Sequence, residues 1–377
     1  MPFKEVSIMS QRREFVQLAV AEDANVRGLC RRYGLSPQTG YRWICRFQDL
    51  GDAGLSNRSR KPHRSPARTS ASIEAAVLSI RAEHPVWGAR KIRARLSNLG
   101  HAALPQPSTI TEILRRHHCI DPREALKHKP FIRFEHDAPN RLWQMDFKGH
   151  FALRSGRCHP LTLLDDHSRF SLALKACADE KGDTVKAHLT HVFRTYGIPE
   201  RMLMDNGPPW GSDASHPFTP LTVWLIHIGI AVSHGRPYHP QTQGKEERFH
   251  RTLKAEVLRD RSFADLGECQ LRFDRWRDVY NLERPHDALQ LAVPASRYKV
   301  SASPFPERLP DIEYGPGDCV RKVHQGVIRH KSLKIKVGMA FHGYHVALRQ
   351  TADDCFDVFF CSQKIKQISL RNARGDE

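Results

Sequence analysis

Three carboxylates stand where short structural elements begin or end. Asp146 lies in an alternating run, Asp205 directly follows the apolar Met202-Leu203-Met204, and Glu247 falls in the first turns of a helix opening at Lys245. Strand ends and helix starts converge at one edge of an α/β sheet. Acids gathered there repel one another unless hard cations sit between them. Two Mg2+ ions, or Mn2+ in their place, would polarise a phosphodiester, activate water or a 3′-hydroxyl, and stabilise the leaving oxygen. Asp146 makes the strongest demand, because an acid between Met145 and Phe147 in a half-buried strand is costly unless paired or metal-bound. Asp205 could instead close a turn with Asn206-Gly207, and Glu247 could be a solvated helix acid like Glu246 beside it.

The elements that must hold these acids are legible in the apolar spacing. Residues 142–151 alternate Trp143, Met145 and Phe147 against Gln144, Asp146 and Lys148, the period of a strand. Strands at 161–164 and 170–175 follow, then a helix marked by Val185, Leu189, Val192 and Tyr196, then a short strand at 202–204. A loop at 208–220, a helix near 221–228, a strand at 230–233 and a second loop at 234–244 lead to a helix from 245 to about 258, with Phe249, Leu253 and Val257 facing the core. This order predicts an α/β core of the ribonuclease-H kind over residues 137–300. A further helix spans about 265–280.

Ahead of it the texture is helical. Ser36 is a good N-cap and Pro37 suits a first helical position, so two helices are joined by a turn. The second would bury Tyr41, Ile44 and Phe47 and project Gln38, Arg42 and Arg46, as a recognition helix presents donors to a major groove. A basic run from Ser56 to Arg68, holding Arg58, Arg60, Lys61 and Arg64, reads as a linker along phosphates. A second helical unit over 71–120 has Trp87 and Ile92 as core and a final helix opened by a Thr109–Glu112 capping box. The expected organisation is a helix-turn-helix unit at 8–55, a linker at 56–70, a second such unit at 71–120, the core, and a small β-barrel at 311–371.

Net charge is +18, with most of the excess in the first 136 residues, and this favours a polyanionic partner. Nine cysteines are scattered singly, without Cys-x-x-Cys, so neither a disulfide framework nor a zinc finger is indicated; His117, His118 and Cys119 read as surface or packing residues. No signal peptide or apolar run of membrane length is evident, and a reducing cytoplasm, with the bacterial nucleoid as the place of action, is expected.

Trp143-Gln144-Met145-Asp146, Met204-Asp205-Asn206-Gly207 and the run Pro240-Gln241-Thr242-Gln243-Gly244-Lys245-Glu246-Glu247-Arg248-Phe249 resemble the three catalytic blocks of the integrase-core DDE family, which contains retroviral integrases and transposases of bacterial insertion sequences. Residues 247–254 and 280–286 resemble the insertion-sequence branch, and Leu164-Asp165-Asp166-His167-Ser168-Arg169 resembles the family's second-strand block. The resemblance makes Asp146, Asp205 and Glu247 the catalytic, metal-binding residues. It selects Glu247 over Glu246, and adjacent helical residues point about 100° apart, so only one can share a metal face. Asp165 and Asp166 are expected in supporting roles.

The function this implies is metal-dependent cleavage and strand transfer on double-stranded DNA, at element ends and at a target, by a homodimer or larger assembly. Gln241 and Gln243 on the loop before the helix, with Arg251 and Lys254 on its exposed face, are expected to hold DNA. Two other readings use the same residues: a catalytically inactive DNA-binding regulator of transposition, and a ribonuclease-H-like nuclease that does not join strands.

Overall fold

The computed structural model describes residues 7–58, 68–120, 136–211, 217–235, 244–259, 261–331, 333–352 and 354–369. The chain divides into two compact units, Met1–Arg68 and Thr69–Glu377.

The first unit packs α1 (Ile8–Ala19), α2 (Val26–Arg32) and α3 (Pro37–Leu50) around Phe15, Val16, Cys30, Ile44 and Leu55. Ser36 caps α3 by accepting from the Thr39 N–H at 3.2 Å, with Pro37 in the first turn, as the local sequence dictates. Of the expected stripe of α3, Ile44 is buried and Phe47 packs against the same core, while Gly40 takes the place expected for Tyr41, which is 50% exposed. Gly40 suits this place because α3 crosses α2 so closely that an added Cβ would meet Cys30 Sγ at 2.4 Å and Phe15 Cζ at 3.0 Å.

In the second unit α4 (Ala71–Glu83), α5 (Ala89–Asn98) and α6 (Pro107–Arg116) close over Val77, Trp87, Ile92, Leu96, Ile110 and Ile113. Trp87 and Ile92 are the expected core. The Thr109–Glu112 capping box does not form: α6 starts earlier, at Pro107, and Glu112 pairs with Arg115. This helical bundle docks on a later segment of the same unit. Val279 packs against its core, Arg95 ion-pairs with Glu283, and Arg90 reaches Asp287 at 3.2 Å.

The central sheet comprises β1 (Trp143–Phe147), β2 (Phe151–Leu153), β3 (Gly156–Asp165), β4 (Ser171–Cys177), β5 (Arg201–Met204) and β6 (Ala231–His234). β4, β3, β1, β5 and β6 lie side by side in that order, with β2 pairing β3 beyond the end of β1. β3 is antiparallel to β1, while β5 and β6 run parallel to it. α7 (Gly182–Tyr196) and α8 (Pro220–His227) link the parallel strands and share a core with Trp143 and Met145. On the other face, α9 (Gly244–Leu253) and α10 (Leu266–Asp278) pack Phe249, Leu253, Phe273 and Trp276 onto Leu164 and Leu174. This is a ribonuclease-H-like arrangement of a mixed sheet between two helical layers.

The tail carries an open four-stranded antiparallel sheet, β12 (Gln363–Ser369), β11 (Cys355–Phe360), β10 (His345–Ala352) and β7 (Cys319–Lys322), and a hairpin of β8 (Val327–His330) with β9 (Leu333–Lys336). The expected barrel is therefore corrected: among the described residues the sheet does not close. Phe341, Val346, Val358 and Phe360 join the α7/α8 core instead, and Gln363 brackets the edge strand β6 by bonding both the N–H and the C=O of Val232, each at 3.3 Å.

Gly40→Ala is expected to destabilise the first unit by about 1–3 kcal/mol, the cost of overpacking a helix crossing. Denaturant titration of the full chain, followed through Trp43 fluorescence, checks this; an unchanged midpoint would show that the crossing yields without strain.

Candidate active site

Period-two geometry turns Gln144 and Asp146 to the α9 face of β1, while Trp143 and Met145 go to the opposite core. Asp146 sits opposite Thr162 on β3, and Thr162 is the hub of the interface with α9. Its hydroxyl donates to the Asp146 carbonyl at 2.9 Å or to Glu246 Oε2 at 3.0 Å, and His250 Nε2 lies 2.9 Å away. Burial and the charge of Lys148 push His250 down to about 4. The ring is then neutral near pH 7, and its N–H can donate to the hydroxyl. Glu246, 3.6 Å from His250, gains no counter-charge there.

Burial pushes the Asp146 carboxyl up to about 7; a backbone hydrogen bond from Phe147 opposes this, and the charges of Asp205 and Glu180 add to it. Asp205 is exposed, at the exit of β5. Its carbonyl accepts from His234 Nδ1 at 2.9 Å, and the neighbouring Asn206 donates to the Gly235 carbonyl at 2.8 Å, so the ends of β5 and β6 are tied together. The charge of Asp205 thus opposes ionisation of Asp146, an opposition that a cation between them would relieve.

The two acids at the head of α9 part company. Glu246 is fully buried and held well above the ordinary carboxylate range, first by burial and then by Asp146. Glu247 faces outward, 67% exposed, and accepts from Arg251 Nη2 at 2.8 Å. The expected meeting of Glu247 with Asp146 is therefore not present: the α9 carboxylate that feels the charge of Asp146 is Glu246. Among the described residues no three His, Cys, Asp or Glu side chains are gathered closely enough to hold a metal ion. The hard oxygen donors of Asp146 and Asp205, whose repulsion a cation would relieve, fit Mg2+. Glu247 joins them only by turning away from Arg251.

Asp165 and Asp166 are both 1% exposed. Asp165 closes its own turn, accepting from the Ser168 and Asn140 N–H groups, each at 2.7 Å. Lys148, to which no role is assigned from sequence, is half-buried two residues past Asp146, its ammonium pushed down by burial and by Lys254. Strand alternation already places it on the Asp146 face. Lys254 and Arg251 are exposed.

On α3, Gln38 and Arg42 are exposed as expected. The Arg46 guanidinium lies 4.5 Å from the Trp43 ring centroid, with that of Arg12 at 4.1 Å, and donates to the Ser56 carbonyl at 2.6 Å, so it also holds the segment after α3. Arg58 is exposed; Arg60, Lys61, Arg64, Gln241 and Gln243 lie outside the described residues.

The raised carboxyl of Asp146 has a thermodynamic consequence. Its folded-state pKa of about 7 exceeds the unfolded value, so ionisation opposes folding increasingly as pH rises from about 4 to about 7. Asp146→Asn should therefore stabilise the metal-free protein, by roughly 2 kcal/mol more at pH 7.5 than at pH 5. Denaturant unfolding in EDTA at the two pH values measures it, and an equal gain at both would remove the buried charge as the cause.

Residues 136–240 and 228–294 match two models of the integrase core domain. Residues 39–114 match a homeodomain-like domain, 11–63 a helix-turn-helix domain, and 318–375 the C-terminal domain of IS481 family transposases. The chain is 26% identical over 168 residues to an uncharacterized 31.7 kDa protein of insertion element IS407 from Burkholderia multivorans, covering 44% of this chain and 58% of that one. It is 24% identical over 247 residues to an uncharacterized 39.2 kDa protein of insertion element IS476 from Xanthomonas euvesicatoria, covering 64% and 69%. A chain of the simian T-cell lymphotropic virus intasome superposes with a TM-score of 0.37 at 15% identity, over 78% of this chain and 96% of that one. No described helix is long and apolar enough to cross a membrane. Residues 136–294 are thus similar to the integrase core domain, and the chain as a whole is similar to proteins of bacterial insertion elements.

Proposed function

We propose that the protein is a DNA transposase that binds the terminal inverted repeats of its element, cleaves at their ends and joins them to target DNA. The observation that carries the reading is the adjacency of Asp146 on β1 and Asp205 at the exit of the parallel neighbour β5, with an exposed Glu247 at the head of α9. Glu247 is preferred to Glu246 as the third carboxylate because an acid sealed beneath Thr162 and His250 cannot reach a bound DNA strand.

Asp146, Asp205 and Glu247 would hold the divalent metal, two Mg2+ ions or Mn2+. In such a site the metal polarises the scissile phosphodiester and steadies charge on the attacking and leaving oxygens. The protein supplies position and charge. Lys148 and Lys254 bring cations to the same face of β1 and α9, suited to holding phosphate oxygens. Arg251 becomes available to DNA once Glu247 leaves it. Gln38 and Arg42 on α3 present donors to a major groove. Water attacks the phosphodiester at the element end, breaking its P–O3′ bond to leave a 3′-hydroxyl and a 5′-phosphate; that hydroxyl then attacks a target phosphodiester, forming a new P–O3′ bond as the target's own 3′-oxygen departs and takes up a proton. Two ends must meet, so a dimer or larger assembly works on DNA.

Strand transfer on a labelled terminal-repeat duplex with Mg2+ tests this. Asp146→Asn, Asp205→Asn and Glu247→Gln should each abolish joining while leaving repeat binding intact, and Glu246→Gln should retain it. The reverse outcome at the two glutamates would make Glu246 the third carboxylate. Repeat binding by the wild type without cleavage would instead establish an inactive regulator, and cleavage without new junctions a nuclease. Arg42→Ala should weaken repeat binding about 10-fold or more, by loss of a base contact.

A further inference from the structure

One buried carboxylate joins the strand that carries Asp146 to the helix that carries Glu247. Asp166 follows the end of β3 and is 1% exposed. Its Oδ1 accepts from Gln144 Nε2 at 2.7 Å, and its Oδ2 accepts from the His136 N–H at 2.9 Å. Lys245, whose side chain is 13% exposed, ion-pairs with the same carboxylate and donates from Nζ to the Asp166 carbonyl at 3.0 Å. Gln144 stands two residues before Asp146 on the same face of β1, and Lys245 stands two residues before Glu247 in the first turn of α9.

The grip is firm for a physical reason. An exposed ion pair contributes little, but removing one partner of a buried pair strands an uncompensated charge. The planar Gln144 amide and the Lys245 ammonium approach Asp166 from two different elements, so the carboxylate can satisfy both only while β1 and the head of α9 keep their spacing. Neighbouring Asp165 serves a different purpose: its carboxylate accepts from Ser168, in its own turn, and from Asn140.

From this geometry we infer that Asp166 is a positioning residue: the Gln144–Asp166–Lys245 bridge fixes the separation of the first and third metal-binding carboxylates and thereby sets the affinity of the site for divalent cation. The inference rests on the metal-binding role proposed above for Asp146, Asp205 and Glu247.

The test uses the full chain with Mn2+ alone as probe. Lys245→Met and, independently, Gln144→Met each remove one arm of the bridge while preserving side-chain length. Each should weaken Mn2+ binding, measured by titration calorimetry, about 10- to 100-fold, the usual effect of losing an outer-sphere partner. Hydrogen exchange in the first turn of α9 should quicken and the melting temperature should fall, more for Lys245→Met, which strands the Asp166 charge, than for Gln144→Met, while terminal-repeat binding stays near wild type. Lys245→Arg, which restores the cation, should recover most of the Mn2+ affinity. Lys181→Met, at a side chain 80% exposed, is the control. A folded Lys245→Met protein with wild-type Mn2+ affinity, or one no weaker than the control, overturns the inference. If the wild type binds Mn2+ no better than Asp146→Asn, the metal-binding reading itself fails. Exchange at α9 then still decides whether the bridge holds the helix: unchanged protection in both arm variants overturns it.

Discussion

The structure around the site depends on a carboxylate held where charge is unwelcome. β1 alternates between a hydrocarbon core on one side and a polar seam on the other, and Asp146 occupies that seam under partial burial. In water its charge would cost nothing; here it is opposed by lost hydration and by Asp205. The surrounding residues answer that constraint. Thr162 takes up the backbone carbonyl of Asp146, His250 stays neutral, and the Glu246 carboxyl beneath them is held well above its ordinary range by burial and by Asp146. Burial in this layer under the site works against charge on its titratable groups.

That layer explains what could be read from the amino-acid order and what could not. The period of two over Trp143–Lys148 and the four-residue steps of Phe249, Leu253 and Val257 locate the strand and helix that flank the site, because both signals arise from which face is buried. Residue pattern alone cannot say which of two adjacent glutamates turns inward, since that depends on the rotation of α9 about its own axis. Phe249 and Leu253 fix that rotation, and Glu246, three residues before Phe249, follows them into the interior.

The same limit appears elsewhere. In α3 the apolar pattern suggested Tyr41 as core, but the crossing with α2 admits only a glycine, and Gly40 takes its place. Nothing in the local sequence marks the Arg46 guanidinium as a partner for Trp43. The hairpin of β2 and β3 was overlooked because its turn is polar and its second strand contains Pro160, which supplies no N–H to a ladder. In the tail, strand positions follow from alternation, but closure does not. Whether a sheet curls shut depends on long-range pairing, and here the apolar faces are used against α7 and α8 instead.

This use of the tail bears on solubility as well as on packing. β6 ends the catalytic sheet, and an unpaired edge is a template on which another chain can add a strand. The Gln363 amide, reaching one donor and one acceptor of Val232, mimics a peptide group within that edge. The side chain thus acts as a one-residue surrogate strand: it fills a register position that an intruding segment would otherwise take, and it makes self-association of the core through this edge compete with the chain's own tail.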